Sequence, residues 1–137
     1  MNCTHCIFLI DDDADDREAL RDALQEAGST QPVVESRDGL QALELLQGMK
    51  GSGQLPCLIV LDVNMPRMDG RQTLLALQAD SALSAVPVVM FSTSSLDSDL
   101  AWFAQRNVPF ITKPHDFSGL IAVATRFLGY CAQEMRA

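Results

Sequence analysis

The chain has 137 residues, of which 47% are hydrophobic, and its formal net charge is -8 at pH 7. This length suits one compact domain with a buried core, and no apolar run is long enough to cross a membrane. The acidic balance argues against nucleic acid as a partner, because phosphate binding needs basic patches, and it favours cations or basic protein surfaces. We therefore predict a single domain over residues 1–137, with its core at about 6–130, no output domain and a cytoplasmic location.

A CxxC spacing opens the chain, with Cys3 and Cys6 enclosing His5. A zinc site would need a second such motif, and none follows. Haem attachment would need a histidine directly after the second cysteine, where Ile7 stands. We interpret the segment as a terminus that leads into a strand, and leave a metal or redox role open. The cysteines are predicted to be free thiols, as in a reducing cytoplasm.

Short apolar runs alternate with amphipathic segments along the chain. Continuous runs bounded by turn residues predict strands covered on both faces, at residues 6–10, 32–36, 57–61, 86–91 and 108–112. Helical spacing predicts helices between the first acids and Gly28, and at 38–48, 71–80, 99–107 and 117–131, with a loop at 49–56. In the second helix, Leu40, Leu43 and either Leu46 or Leu45 are predicted to face inward. Strict alternation predicts a parallel sheet with helices on both faces.

Charged and hydroxyl side chains follow four of the predicted strands at the point where each ends. They are Asp11, Asp12 and Asp13 after the first strand, Asp62 after the third, Ser92 and Thr93 after the fourth, and Lys113 and Pro114 after the fifth. Ligands in open α/β sheets bind beyond the carboxyl ends of the strands. We therefore predict that these side chains share one rim of the sheet.

The acids of this rim need a counter-charge. Two carboxylates 4 Å apart repel each other by roughly 4 kcal/mol at an effective dielectric of about 20. A cluster of Asp11, Asp12 and Asp62 therefore predicts either a bound cation or one protonated acid, and oxygen ligands of this kind suit Mg²⁺. Together with Lys113 and a hydroxyl, Mg²⁺ would stabilise a phosphoryl group during transfer, and an aspartate can be the nucleophile that accepts it.

The sequence resembles the receiver domains of two-component response regulators, the CheY-like family. The resemblance covers essentially the whole chain and rests on four motifs in the family's order, namely "IFLIDDD", "LIVLDVNMPRMDG", "VPVVMFSTS" and "FITKP". It implies a flavodoxin-like (βα)5 fold, an α/β three-layer sandwich whose five parallel strands have the order 2-1-3-4-5. It also implies a role in phosphorelay signal transduction.

The resemblance assigns an acceptor and a metal site to named residues. Asp62 would accept a phosphoryl group from a kinase phosphohistidine and carry it as an acyl phosphate. Asp12 would bind Mg²⁺ directly and Asp11 would bind it through water. The carboxylate of Asp62 and the backbone carbonyl of Asn64 would complete the protein ligands, and Mn²⁺ could replace Mg²⁺.

The resemblance also implies a switch. Ser92 would hydrogen-bond a phosphoryl oxygen in the active state, Lys113 would pair with another, and Phe110 would occupy the aromatic switch position. The Lys113–Pro114 peptide bond would be cis. Thr93 is the alternative switch hydroxyl, but the strand alignment favours Ser92. Phe110 stands where the family often has tyrosine, and Ser92 where it often has threonine, so the coupling between site and surface is expected to differ in detail.

The remaining acids of "DDDADD" are predicted to serve the first helix. Carboxylates at Asp13, Asp15 and Asp16 would cap free N–H groups and oppose the helix dipole, without taking part in chemistry. Likewise, Asp69 and Gly70 are predicted to begin the third helix.

Two other functions compete with the phosphorylation switch. A small phosphatase that uses an aspartyl phosphate would have a second Asp two residues after the first, where Asn64 stands. A constitutive interaction module would not need the set formed by Asp11, Asp12, Asp62, Ser92 and Lys113, which is intact. The switch is therefore preferred, as a phosphoacceptor and not an enzyme, with only self-phosphorylation and slow loss of its own phosphoryl group expected.

The expected partners are a sensor histidine kinase or a histidine phosphotransfer protein, and an unidentified downstream protein. The usual signalling surface of the family comprises the fourth helix, the fifth strand and the last helix, and the chain would be a monomer or a dimer through that surface. Candidate elements there are Trp102, Phe103, Phe110 and the "HDF" turn at 115–117, some of which must be core.

Overall fold

The computed structural model describes residues 6–93 and 97–136, with side chains up to residue 132. Five strands alternate with five helices along the chain. The elements are β1 (Ile7–Ile10), α1 (Ala14–Glu26), β2 (Val33–Ser36), α2 (Gly39–Ser52), β3 (Leu58–Leu61), α3 (Gly70–Gln78), β4 (Val88–Ser92), α4 (Asp97–Ala104), β5 (Phe110–Thr112) and α5 (Phe117–Arg136), and a 3₁₀ turn at Leu83–Ala85 precedes β4.

All strand pairs are parallel and the strand order is β2-β1-β3-β4-β5. The predicted flavodoxin-like fold is therefore confirmed. Every residue of β1 and β3 is buried, because helices cover both faces of these central strands. This explains why their sequences are continuous apolar runs without alternation.

Successive strand residues point to opposite faces and build two cores. On one face, Ile7 and Leu9 of β1 pack with α1 and α5, where Leu24 and Phe127 are fully buried. On the other face, Phe8 and its neighbours pack with α2, α3 and α4. The result is a three-layer sandwich whose strand ends are left open at the rims.

Helix α2 differs most from its prediction. It continues to Ser52, through the first part of the predicted loop, and ends at Gly53, whose φ of 75° is left-handed. Within it Ala42 and Leu46 are buried, whereas Leu40 is 41% exposed, so the inward placement of Leu40 was wrong. The physical reason is that packing selects the buried face: Ala42 and Leu46 enter the core. Gly39 is buried against Met68 and Thr73.

The two last strands begin later than predicted. Strands β4 and β5 start directly after Pro87 and Pro109, which have no N–H to donate to a sheet.

The last two helices also end at other residues than predicted. Helix α4 ends at Ala104, before the predicted end at 107, and Asn107 then takes a left-handed φ of 60°. Helix α5 continues to Arg136, past the predicted end at residue 131.

A disulfide joins Cys57, directly before β3, to Cys131 in α5, with Cα atoms 5.0 Å apart. The prediction of free thiols is wrong for this pair, because 74 positions separate the two residues and only the packing of α5 on the sheet brings them together. Cys6 is buried directly before β1. Cys3 and His5 lie outside the described residues, so the CxxC interpretation there stays a prediction.

Within residues 6–93 and 97–136, no helix combines the length and the apolar character that a membrane crossing requires.

Replacing Cys131 with Ala is expected to lower the free energy of unfolding by about 4 kcal/mol relative to the oxidised protein, because the cross-link restricts the unfolded chain over a long loop. Urea unfolding with and without a thiol reductant measures this. The wild type should lose stability on reduction, while the Cys131→Ala protein should not respond. A wild type that is indifferent to reductant would contradict the cross-link.

Candidate functional site

The register of the sheet brings the acids of the first and third strands together. Ile10 pairs with Leu61, and the N–H of Asp62 donates to the carbonyl of Ile10 at 3.0 Å. Asp11 and Asp62 therefore leave neighbouring strands at the same level. On the other side, the N–H of Lys113 donates to the carbonyl of Ser92 at 2.9 Å, which brings the end of β5 to the same rim.

Three carboxylates form a compact group at this rim. Ligand oxygens of Asp11, Asp12 and Asp62 all lie within 4.8 Å of one another. Asp11 and Asp62 are each 7% exposed, whereas Asp12 is open to solvent. Oxygen donors from partly buried carboxylates, with one side open to water, match the needs of a hard divalent cation. These residues can therefore hold such an ion.

The ammonium of Lys113 lies among the acids of the rim. Its Nζ is 2.6 Å from Asp11, 2.8 Å from Asp16 and 3.5 Å from Asp62, and its side chain is 9% exposed. In this structure Lys113 is therefore the counter-charge of the buried acids. The contact with Asp16 was missed, because Asp16 was assigned only to the helix end. A signal was present, since Asp16 shares a helical face with Leu20, which is buried.

Burial and charge shift the pKa values of two groups. Burial raises the pKa of Asp11 to about 6, and the charge of Asp62 adds to this, while the Lys113 ammonium and the Asp13 N–H act against it. Burial alone would lower the pKa of Lys113, but its hydrogen bonds to Asp11 and Asp16 raise it above its usual range. Lys113 is therefore charged throughout the physiological pH range.

The start of α1 holds the acidic loop in place. Asp13 is the N-cap, as predicted, and its carboxylate accepts from the N–H groups of Asp15 and Asp16 at 3.0 and 3.2 Å. The carboxylate of Asp11 accepts from the N–H of Asp13 at 2.9 Å. Arg17, one turn further on, donates to the backbone carbonyl of Asp11. The loop is thus closed by its own side chains.

The loop after β3 is packed directly against Asp62. Gly70 donates its N–H to the carbonyl of Val63 at 2.8 Å, and a Cβ at Gly70 would lie 2.4 Å from the carbonyl oxygen of Asp62. Asp69 caps α3 in a capping box with Gln72, which confirms that the Asp69–Gly70 pair begins this helix. The close approach of Gly70 to Asp62 was not foreseen from the sequence.

The predicted switch residues lie at the ends of β4 and β5. Ser92 is 1% exposed and is the last residue of β4, whereas Thr93 is exposed. Phe110 is half-buried and its ring centroid is 5.8 Å from that of Phe103. Asn64 is exposed in the loop that follows Asp62. The roles given to Ser92, Phe110 and Asn64 stay predictions.

The peptide bond between Lys113 and Pro114 is trans in this structure, so the expected cis bond is not found. The two isomers of a bond before proline differ by only about 0.5–1 kcal/mol, and the sequence does not choose between them.

Comparison with known proteins assigns the family. The family model described as "Response regulator receiver domain" matches residues 7–125. The chain belongs to this family. The matched region therefore includes all five strands and the first part of α5.

Two curated relatives and two solved structures show the extent of the likeness. The "Response regulator Rcp1" of Synechocystis sp. is 30% identical, over 83% of this chain and 80% of that protein. The "Probable methanogenesis regulatory protein FilR2" of Methanothrix harundinacea is 32% identical, over 83% of this chain and 75% of that protein. The structure of the phosphorylated cyanobacterial phytochrome response regulator RcpA has a TM-score of 0.82 at 33% identity and covers 93% of this chain and 94% of its own. The Mn²⁺-bound form of Rcp1 has a TM-score of 0.78 at 28% identity, over 90% and 91% of the two chains.

The receiver's fourth helix carries a charged and aromatic cluster. The guanidinium carbon of Arg106 lies 3.7 Å from the centre of the Trp102 ring and that of Arg71 lies 5.0 Å away. Arg71, in α3, also forms an ion pair with Asp99 of α4. Phe103 is fully buried and belongs to the core, so it cannot be part of a signalling surface, while Trp102 is half-buried.

The Gly70→Ala variant of the receiver is expected to lose about 1–3 kcal/mol of stability, because the new Cβ would overlap the carbonyl of Asp62. Gly48→Ala is the matched control, since Gly48 lies in α2 with open space around its Cβ position and should gain up to about 1 kcal/mol. Urea unfolding compares them. Equal effects of the two substitutions would show that Gly70 does not need to be glycine.

The pKa of Asp11, about 6 against an ordinary 3.8, predicts a pH dependence of metal-free stability. Between these values the folded state binds more protons than the unfolded state, so this group's contribution to stability falls as the pH rises from about 4 to about 6. Asp11→Asn should remove this fall. The unfolding midpoints of the wild type and of Asp11→Asn are measured in EDTA from pH 4 to 8, and the difference between the two proteins reports the effect. A difference that does not change with pH would contradict the raised pKa of Asp11.

Proposed function

We propose that this receiver is a phosphorylation-controlled switch whose acceptor is Asp62. The observation that carries the proposal is the convergence of Asp11, Asp12 and Asp62 with the ammonium of Lys113 at the carboxyl ends of the strands. The donor would be the phosphohistidine of a sensor histidine kinase or of a histidine phosphotransfer protein. The similar receiver RcpA has been crystallised in a phosphorylated form, which supports the same chemistry here.

The transfer would form one bond and break another. A carboxylate oxygen of Asp62 attacks the phosphorus, and the phosphorus–nitrogen bond to the donor imidazole breaks with its electron pair staying on the nitrogen. The product is an acyl phosphate on Asp62. The ammonium of Lys113, 3.5 Å from the Asp62 carboxylate before transfer, would then pair with a phosphoryl oxygen and offset part of the new negative charge.

The acid group fits a divalent cation, and we propose that Mg²⁺ is the ion used, with Mn²⁺ as a substitute. The Mn²⁺-bound structure of the similar Rcp1 supports this choice. Asp12 and Asp62 would bind the ion, with the carbonyl of Asn64, and Asp11 would reach it through water. When bound, the ion would neutralise the phosphoryl oxygens during transfer. Asp12 suits this role because it is exposed while Lys113 occupies the inner side of Asp11.

The response to phosphorylation would start at the end of β4. Ser92 is buried at the rim, beside the strand that leads to Lys113, and would donate its hydroxyl to a phosphoryl oxygen. Phe110 pairs in register with Met90 of β4, so a movement at the end of β4 can change its packing against Phe103. We propose that the receiver signals in this way to a downstream protein through α4, β5 and α5.

Incubation with acetyl phosphate and Mg²⁺ should add the mass of one phosphoryl group to the receiver, measured on the intact protein. EDTA should prevent the gain, because the acids then repel the donor. Asp62→Asn should abolish it, because an amide is not a nucleophile of this kind.

Glu44→Gln is the matched control, since it removes one acidic charge from an exposed position of α2 away from the rim. It should be labelled as fast as the wild type. A wild type that stays unlabelled while RcpA is labelled under the same conditions would contradict the proposal and favour a constitutive interaction module. Labelling that persists in Asp62→Asn would place the acceptor elsewhere.

A further inference from the structure

We propose that Arg37 and Arg67, together the arginine pair, form a cationic entrance that guides the anionic phosphoryl group of the donor past the acids of the rim toward Asp62. The inference rests on the proposed function and adds to it the residues that recruit the donor.

The arginine pair lines a cavity that opens beside the acid group. The cavity has a volume of about 400 Å³ and is lined by Asp12, Arg37, Asp38, Pro66 and Arg67. These residues come from the loops that follow β1, β2 and β3, so the cavity lies on the same rim as Asp62. Asp12 belongs both to this cavity and to the group whose oxygens lie within 4.8 Å of one another. A group that fills the cavity therefore borders the acid group.

Arg67 is held toward this cavity by its backbone and by an ion pair. The N–H of Met68 donates to the carbonyl of Pro66 at 2.7 Å across Arg67, whose φ of 66° is left-handed. Glycine or asparagine would adopt this φ more readily than arginine does. The guanidinium of Arg67 contacts one carboxylate oxygen of Asp38 at 2.9 and 3.1 Å. Asp38 in turn caps α2 through the N–H of Gln41, so the anchor of Arg67 is fixed.

The cavity keeps positive charge available to a ligand. Arg37 and Arg67 share one carboxylate, that of Asp38, and the Arg37 contact with it is long, at 3.9 Å. The Arg37 side chain is 71% exposed and that of Arg67 is 54% exposed, whereas Asp38 is only 4% exposed. Lys113, in contrast, is 9% exposed and already paired with carboxylates. Of these three cations, an arriving anion therefore meets the arginine pair first.

Such an entrance has a physical purpose in this chain. The net charge is -8, and Asp12, Asp13 and Asp15 are all exposed at the same rim, so the surface repels an anionic donor. A local positive group raises the concentration of anions at the cavity and thereby the association rate. Guanidinium groups also match phosphoryl oxygens in geometry, because two N–H groups can donate in parallel. The pair would thus raise the rate of encounter without taking part in the bond exchange.

The test is the second-order rate constant for labelling by acetyl phosphate with saturating Mg²⁺, measured by intact mass at low and at high salt. At low salt, Arg37→Gln and Arg67→Gln should each slow labelling roughly threefold, and the double variant about tenfold. At high salt the variants should approach the wild type, because exposed charges are then screened. Arg126→Gln, which removes an exposed arginine from α5, is the charge-matched control and should react as the wild type does.

Two further measurements separate guidance from a structural role of these residues. Arg37→Lys and Arg67→Lys keep the charge but lose the planar fork, so guidance predicts recovery of most of the rate, whereas a purely structural role predicts none. Phosphoramidate is a donor of smaller negative charge. With it, the labelling rates of the Gln variants should differ less from the wild-type rate than they do with acetyl phosphate. Equal rates for wild type and double variant at low salt would overturn the inference while the proposed function stands. Failure of the wild type to be labelled would overturn the proposed function, and this inference with it.

Discussion

Like charges brought side by side by a parallel sheet dominate the chemistry of this receiver. The register of β1 and β3 leaves Asp11 and Asp62 at one level, and Lys113 at the end of β5 is the ammonium that lies between them. The Lys113 ammonium is also paired with Asp16, so the rim has more carboxylates than this one positive charge can neutralise. A divalent cation would neutralise this excess, and an arriving phosphoryl group would restore negative charge. In the proposed function, both ligands would therefore act on one electrostatic imbalance.

The loop after β3 connects this imbalance to the rest of the fold. Gly70 lies against the carbonyl of Asp62, so the start of α3 and the position of Asp62 depend on each other. The next residue, Arg71, is paired with Asp99 of α4 and lies near the Trp102 ring. One close backbone approach and one ion pair thus link Asp62 to α4.

Errors in the predicted elements share a cause. Leu40 was placed inward because helical spacing alone leaves the phase of a helix uncertain by one position, and packing in the core decides it. The start of β4 was placed too early because an apolar run does not show where the sheet's hydrogen bonds begin, which Pro87 decides. Asp16 was assigned to the helix end alone: its shared face with Leu20 indicated an inward side chain, but its partner Lys113 is 97 positions away. Each error concerns a choice that local sequence leaves open.

The sequence by itself determined the alternation of strands and helices, the parallel sheet and the set of acids, hydroxyl and lysine at the strand ends. It could do so because burial on both faces leaves continuous apolar runs, and because parallel strands end at one rim. Only the tertiary structure decided the Cys57–Cys131 disulfide, the Lys113–Asp16 ion pair and the arginine pair around Asp38. These contacts join residues from different loops and helices, and their distances depend on sheet register and helix packing, which no local pattern encodes.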